Sequence, residues 1–424
     1  MRYNFHPFKR PAAENGRNTT VSLLAIPELS DGFDSSIEAP ASGMIPVSQY
    51  TDPVPVGTYK VHIELEADAD VSQLFLFTGR KQLRDILTLK KGDRHEYTFY
   101  QSVAEILPRY YKEVYPVQHL FITYCAEDRA PSVPIASAAD SASPVRFVNC
   151  YAEPAPGIPV VYLCGDSTVT DQSSGIPYHP SACYASWGQA LPAFLGDPVA
   201  VENQAHCGLT TESFREEGHM DIVKKFIHTG DFCLIQFGHN DQKLPHLLAD
   251  REYPVNLKRY IEEVRSAGAT PVLVTSPGRN IWKPDGAYHD LLEEHVAAVK
   301  RVATETSTDY IDLHDFAVKK IIADGMEASC RFFHPGDYTH SNEYGAFQSA
   351  CYIADNLHAL YPDIFTHLIL HTEFTPPSAL MENQSPTDIR VSANEEKEQF
   401  DTMEKSAQSL LEAIQSAKKQ AARK

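Results

Sequence analysis

The chain has 424 residues, 43% of them apolar, and a formal charge of −19. That length exceeds one ordinary compact domain and supplies enough apolar surface for more than one core. The acidic balance argues against a general polyanion binder, so neither nucleic acid nor an anionic membrane surface is an expected partner.

Residues 1–20 are polar with scattered charges and lack the apolar core of a secretory leader. No stretch approaches the ~20 apolar residues of a membrane span. The expected location is the cytoplasm. The eight cysteines form no C-x-x-C pair and show no metal-ligand spacing. They are expected to be reduced structural thiols, with no metal and no organic cofactor.

The first half of the chain reads as β. Thr58-Tyr-Lys-Val-His-Ile-Glu-Leu-Glu66 alternates with period two, as a half-buried strand does. Ser72–Phe77, His95–Gln101 and Gln118–Cys125 read similarly, punctuated by turns such as Lys91-Gly92-Asp93. Residues 1–152 are therefore expected to form an all-β, sandwich-like accessory module. Glu153-Pro-Ala-Pro-Gly-Ile-Pro159, with three prolines in seven residues, reads as a linker.

Beyond it the pattern becomes α/β. Short apolar runs at Val160–Cys164, Val199–Glu202, Phe232–Phe237, Pro271–Thr275 and Tyr310–Leu313 have the character of parallel strands covered on both faces. Helical patterns lie between them, at Thr211–Ile227, Val255–Ala267 and Leu291–Thr304. Residues 160–374 are expected to form a flavodoxin-like, doubly wound parallel sheet. Residues 375–424 read as a polar tail. In it Phe400, Met403, Ala407, Leu410, Ile414, Ala417 and Ala421 recur at heptad spacing on a C-terminal helix. That stripe is expected to pair with a second copy, giving a homo-oligomer, or to dock on the chain's own surface, the remaining alternative being a frayed tail.

Open α/β sheets place their chemistry at the carboxyl ends of the strands. There the sequence reads Gly165-Asp166-Ser167-Thr168, then Asn203-Gln-Ala-His-Cys-Gly208, then Gly238-His239-Asn240-Asp241. Asp337-Tyr-Thr-His340 follows near the end of this half. The chemistry that fits is acyl transfer. Ser167, at a strand-to-helix turn, is the expected nucleophile and needs a base within hydrogen-bond reach. His340 is that base, rather than His334, and Asp337 orients its ring. The Ser167 and Gly208 N–H groups and the Asn240 side-chain amide are the expected oxyanion donors. Trp187 could stack on a sugar or fill the core. His239 could line the pocket or cap its turn. Asp171, Gln189 and His206 read as structural. Gly-x-Ser-x-Gly is absent, which argues against an α/β-hydrolase elbow.

These four blocks resemble those of the SGNH/GDSL hydrolases, with Ser167, Gly208, Asn240 and His340 as the four letters. Gly165-Asp-Ser-Thr-Val-Thr-Asp171, Ser186-Trp-Gly-Gln189 and Phe237-Gly-His-Asn-Asp-Gln242 bring residues 159–365 close to the rhamnogalacturonan acetylesterase-like branch, carbohydrate esterase family twelve. Two positions depart from that branch's usual pattern, Ser186 in place of Gly and Leu209 in place of Arg. The resemblance implies a serine esterase that removes O-acetyl groups from pectin-derived rhamnogalacturonan oligosaccharides through an acyl-enzyme, without a cofactor. The residues also allow an esterase or lipase for another acyl ester, or a noncatalytic carbohydrate-binding protein on the same fold.

Overall fold

In a computed structural model, which describes residues 1–9, 30–40, 42–109, 112–127, 143–370 and 374, the change of pattern near residue 152 is a change of sheet type. The heptad tail lies outside the described residues.

The first half supplies β1 (Tyr3–Pro7), β2 (Pro46–Thr51), β3 (Gly57–Ala67), β4 (Val71–Thr78), β5 (Gln82–Leu89), β6 (Arg94–Val103), β7 (Phe121–Ala126) and β8 (Val145–Pro154). They form one antiparallel eight-stranded ladder in the order β5-β4-β7-β2-β1-β8-β3-β6. The expectation of a sandwich is thereby refined. β1 pairs with β2 on one edge and β8 on the other, so a single sheet continues through it. The two ends of that sheet share one core, with Val61, Ile63 and Leu65 of β3 packed among Leu74 and Leu76 of β4 and Leu87 and Leu89 of β5.

The period-two alternation foreseen in β3 is present, with Tyr59, Val61, Ile63, Leu65 and Ala67 buried. β4 does not alternate in hydrophobicity, because both its faces are covered. Leu74 and Leu76 point into the β core, while Phe75 and Phe77 pack with Phe33, Tyr178, Trp187 and Phe347. The same second core contains Val161 and Leu163 of the following half, so the two halves are joined by shared apolar packing.

Glu153 and Pro154 close β8, and the chain turns at once into β9 (Val160–Gly165). With β10 (Ala200–Asn203), β11 (Phe232–Gln236), β12 (Thr270–Val274) and β13 (Asp309–Ile311) it builds a parallel sheet. The order β10-β9-β11-β12-β13 is the flavodoxin-like 2-1-3-4-5 arrangement. The helices are α1 (Trp187–Ala190), α2 (Ser213–Glu216), α3 (His219–Phe226), α4 (Glu252–Ser266), α5 (Glu293–Thr306), α6 (Leu313–Ala328) and α7 (Glu343–Leu360). Alternate strand residues serve opposite faces. Val161, Leu163, Leu234, Val272 and Val274 meet α1 and α7. Tyr162, Cys164, Cys233, Ile235 and Leu273 meet α3, α4 and α5. The helix foreseen over Thr211–Ile227 is divided into α2 and α3 at Gly218, whose φ of +96° is left-handed.

Cys164 and Cys233 lie side by side with Sγ atoms 3.5 Å apart, and no disulfide joins any of the eight cysteines. Among the described residues no helix is long and apolar enough to cross a membrane.

Candidate active site

The end of β9 sets the first part of the site. A Cβ on Gly165 would come within 2.4 Å of the Val169 side chain, so the strand can turn back on itself only with glycine there. Asp166 then starts one helical turn, its carbonyl accepting from Val169 and Thr170 N–H at 3.1 and 3.0 Å. This turn runs into a loop rather than the helix expected after Ser167, and α1 begins only at Trp187. Asp166 Oδ1 accepts from the Thr168 N–H and hydroxyl at 2.9 and 2.8 Å. Gln236, at the end of β11, donates to the Thr168 hydroxyl at 2.9 Å and accepts from the Trp187 indole at 2.7 Å. Ser167 therefore rests on a buried polar network.

The second part precedes α7. Asn342 caps that helix, its side chain accepting from Gly345 N–H at 3.1 Å. Just upstream, Asp337 Oδ1 accepts from the Thr339 and His340 N–H groups at 2.6 and 3.0 Å, which folds residues 337–340 into a tight turn. That turn brings His340 Nε2 to 2.8 Å from Ser167 Oγ and His340 Nδ1 to 2.8 Å from Asp337 Oδ2. Burial acts to raise the Asp337 pKa, but the hydrogen bonds and charge of His340 outweigh it and hold the carboxyl at about 2. Tyr184 packs edge-on against the His340 ring, with centroids 5.8 Å apart, and its hydroxyl reaches Asp337 Oδ2 at 3.5 Å. The rival histidine, His334, instead stacks on Tyr184 at 3.6 Å between centroids.

The third part is a set of donors. Among the described residues neither the Ser167 nor the Gly208 N–H is hydrogen-bonded. Gly208 has a φ of +77°, which favours glycine. The Asn240 amide donates one proton to Leu209 carbonyl at 3.1 Å, and its oxygen accepts from Lys243 at 3.0 Å. One amide proton remains.

At two positions where the sequence left alternatives open, the structure disfavours contact with substrate. Trp187 is 1% exposed and bonded to Gln236, so its ring is core and cannot stack on a sugar. His239 is 2% exposed, 3.1 Å from Pro277 carbonyl through Nε2 and 3.7 Å from Asp166 through Nδ1. It underlies the site instead of lining it. Asp171 and Gln189 are structural, bonded to Asn203 and Gln82 and to the Arg80 and Gln172 carbonyls respectively. His206 is buried with its ring 4.6 Å from that of His219.

Sequence reasoning missed which residues of the antiparallel half reach the site. The β4–β5 turn inserts between the nucleophile and base segments. Arg80 donates to Asp171 carbonyl at 2.7 Å, four residues beyond Ser167. Lys81, 1% exposed, donates to Ser174, to Tyr184 carbonyl at 3.1 Å and to Glu343 at 3.2 Å. In the sequence, Gly79-Arg-Lys-Gln82 has the composition of an ordinary charged turn, and nothing in it announces a buried lysine.

Residues 163–341 match the GDSL-like lipase/acylhydrolase family. The rhamnogalacturonan acetylesterase RhgT of Bacillus subtilis strain 168 is 36% identical over 224 residues, covering 49% of this chain and 94% of that protein. This chain belongs to the GDSL-like lipase/acylhydrolase family. A second relative from that bacterium, the probable rhamnogalacturonan acetylesterase YesY, is 30% identical and covers 47% of this chain and 93% of its own. A solved structure of the B. subtilis protein YxiM is 21% identical with a TM-score of 0.47, over 75% of this chain and 82% of that one. As a member of the family the protein is a carboxylic ester hydrolase.

Proposed function

We propose that the protein is a carbohydrate O-acetylesterase whose acylated residue is Ser167. The observation that carries the reading is the continuous line from Ser167 through His340 to Asp337, two contacts of 2.8 Å. Ser167 Oγ attacks the acetyl carbonyl carbon while its proton passes to His340 Nε2. Asp337 holds the Nδ1–H and stabilises the imidazolium. The carbonyl electrons collect on an oxyanion facing the Ser167 and Gly208 N–H groups and the remaining Asn240 amide proton. As the carbon–oxygen bond to the sugar breaks, His340 returns the proton to the leaving alkoxide. Water, deprotonated by the same imidazole, then releases acetate and restores the serine.

Rhamnogalacturonan fragments from pectin are the substrate best supported, by the names of two relatives that this chain covers over more than nine-tenths of their length. The test is acetate release from acetylated rhamnogalacturonan, xylan and chitin fragments, with Ser167→Ala as control. The reading expects release by the wild type, fastest from rhamnogalacturonan, and none by the variant. Preference for long-chain p-nitrophenyl esters over p-nitrophenyl acetate would overturn it.

A further inference from the structure

We infer that Arg109, contributed by the antiparallel half, positions and polarises the Cys207–Gly208 peptide as an oxyanion donor. This rests on the site reading above. Arg109 Nε and Nη2 donate to Glu217 Oε2 and Oε1 at 2.9 and 3.1 Å, a two-pronged pair that fixes the plane of the guanidinium. Its remaining nitrogen, Nη1, donates to the carbonyl oxygen of Cys207. The same Nη1 stands 3.2 Å from where a Cβ on Gly208 would lie. Leu107, two residues earlier, is 3.3 Å from the corresponding position on Gly218. The 107–109 segment thus lies against both left-handed glycines that shape the loop after β10.

The Cys207 carbonyl and the Gly208 N–H belong to one peptide group, which is trans. In a trans peptide the C=O and N–H bonds point in opposite directions. A guanidinium anchored on the oxygen side therefore turns the Gly208 N–H away from itself, toward the side left to the oxyanion. A charge-assisted bond to the oxygen also draws electron density from the nitrogen, which makes that N–H a stronger donor. Glu217 holds the guanidinium in place, leaving the peptide little freedom to flip. Lysine offers a point charge without the fork, so it can supply the polarisation but not the planar anchoring. Arg109 touches no reacting atom; it acts through Gly208.

The experiment uses the full chain, p-nitrophenyl acetate, and the variants Arg109→Ala, Arg109→Lys and Ser167→Ala, with kcat counted per titrated active site. Loss of one oxyanion donor costs on the order of 10²–10³ in kcat, and a donor misaimed rather than removed is expected to lose about 10- to 100-fold. Arg109→Ala should show that fall with KM little changed. Arg109→Lys should recover part of it, as should added guanidinium ion with the alanine variant. Affinity for phenylboronic acid, whose adduct with serine is tetrahedral, should weaken in step with kcat/KM. A purely structural role would lower melting temperature and active-site titre but leave kcat per site and boronate affinity unchanged, and that result overturns the inference. Wild-type kcat in Arg109→Ala, with Ser167→Ala inactive, overturns it while sparing the site reading. Hydrolysis by Ser167→Ala overturns both.

Discussion

In the proposed mechanism Ser167→Ala removes the nucleophile and His340→Ala its proton acceptor, and each loss is expected to cut kcat by several orders of magnitude. Asn240→Ala should cost on the order of 10²–10³, because one of three donors goes and the Leu209 tether goes with it. Asp337→Ala should be milder than either triad partner's loss. Steady-state kinetics with p-nitrophenyl acetate settle all four, and near-normal turnover by Ser167→Ala would refute the scheme. Another residue makes a stability prediction. Asp241 Oδ1 accepts from the Thr211 N–H and hydroxyl at 2.9 and 2.6 Å, while its Oδ2 has no hydrogen-bond partner. Burial outweighs those bonds and raises its pKa from 3.8 to about 7. Between these values the folded chain holds a proton that the unfolded chain has lost, so stability falls as pH rises through that window. Asp241→Asn keeps the Thr211 contacts and carries no titrating proton. Its melting temperature should decline less than the wild type's between about pH 4 and pH 7, and parallel curves would assign the slope elsewhere. Ser167, His340 and Asp337 were legible because each sits in a short block that must follow a strand end or precede a helix. Tyr184 and Glu343 were not, since their contacts run to residues 153 and 262 positions away.

Among the elements, the β4–β5 turn has the most to lose. Lys81 and Glu343 are 1% and 2% exposed and 3.2 Å apart. Burial pushes the Glu343 carboxyl up, and the Lys81 ammonium holds it down in part. Lys81→Met leaves that carboxyl buried without its cation, which typically costs ~3–5 kcal/mol. Adding Glu343→Gln removes the stranded charge, so the double variant should regain much of the loss; denaturant titrations of the three proteins measure it. If the double variant is no more stable than Lys81→Met, the pair is not the cause. The sequence showed β4 as a strand, but as a half-buried one; the apolar run Leu74-Phe-Leu-Phe77 is covered on both faces. It could not show what covers the second face, because period two reports that a face is apolar and says nothing of its partner.

For the whole molecule, the proline-rich 153–159 stretch suggests a place to cut, with a fragment from about residue 156 keeping the catalytic fold. The shared core leads to the opposite expectation. Phe33, Phe75, Phe77, Leu83 and Ile86 are packed into the same cluster as Trp187, Phe347 and Leu163. Removing the first half would bare that apolar face and strand Glu343 without Lys81. The fragment should bind a hydrophobic dye, lose near-ultraviolet circular dichroism and fail to hydrolyse p-nitrophenyl acetate. A fragment with native spectra and full turnover would show that the parallel sheet is self-sufficient.

The Lys81 contact carries a consequence for descent as well as for folding. Its ammonium meets Ser174 and the Tyr184 carbonyl on one side and Glu343 on the other, three points that surround the nucleophile and base segments. A catalytic half borrowed from a relative without this antiparallel partner would arrive with no reason to bury an acid at the start of α7. The two halves are therefore poor candidates for exchange between genes. Lys81 and Glu343 should be inherited or lost together, and a chimera joined in the 153–159 stretch should work only when both ends of that pair come from the same parent.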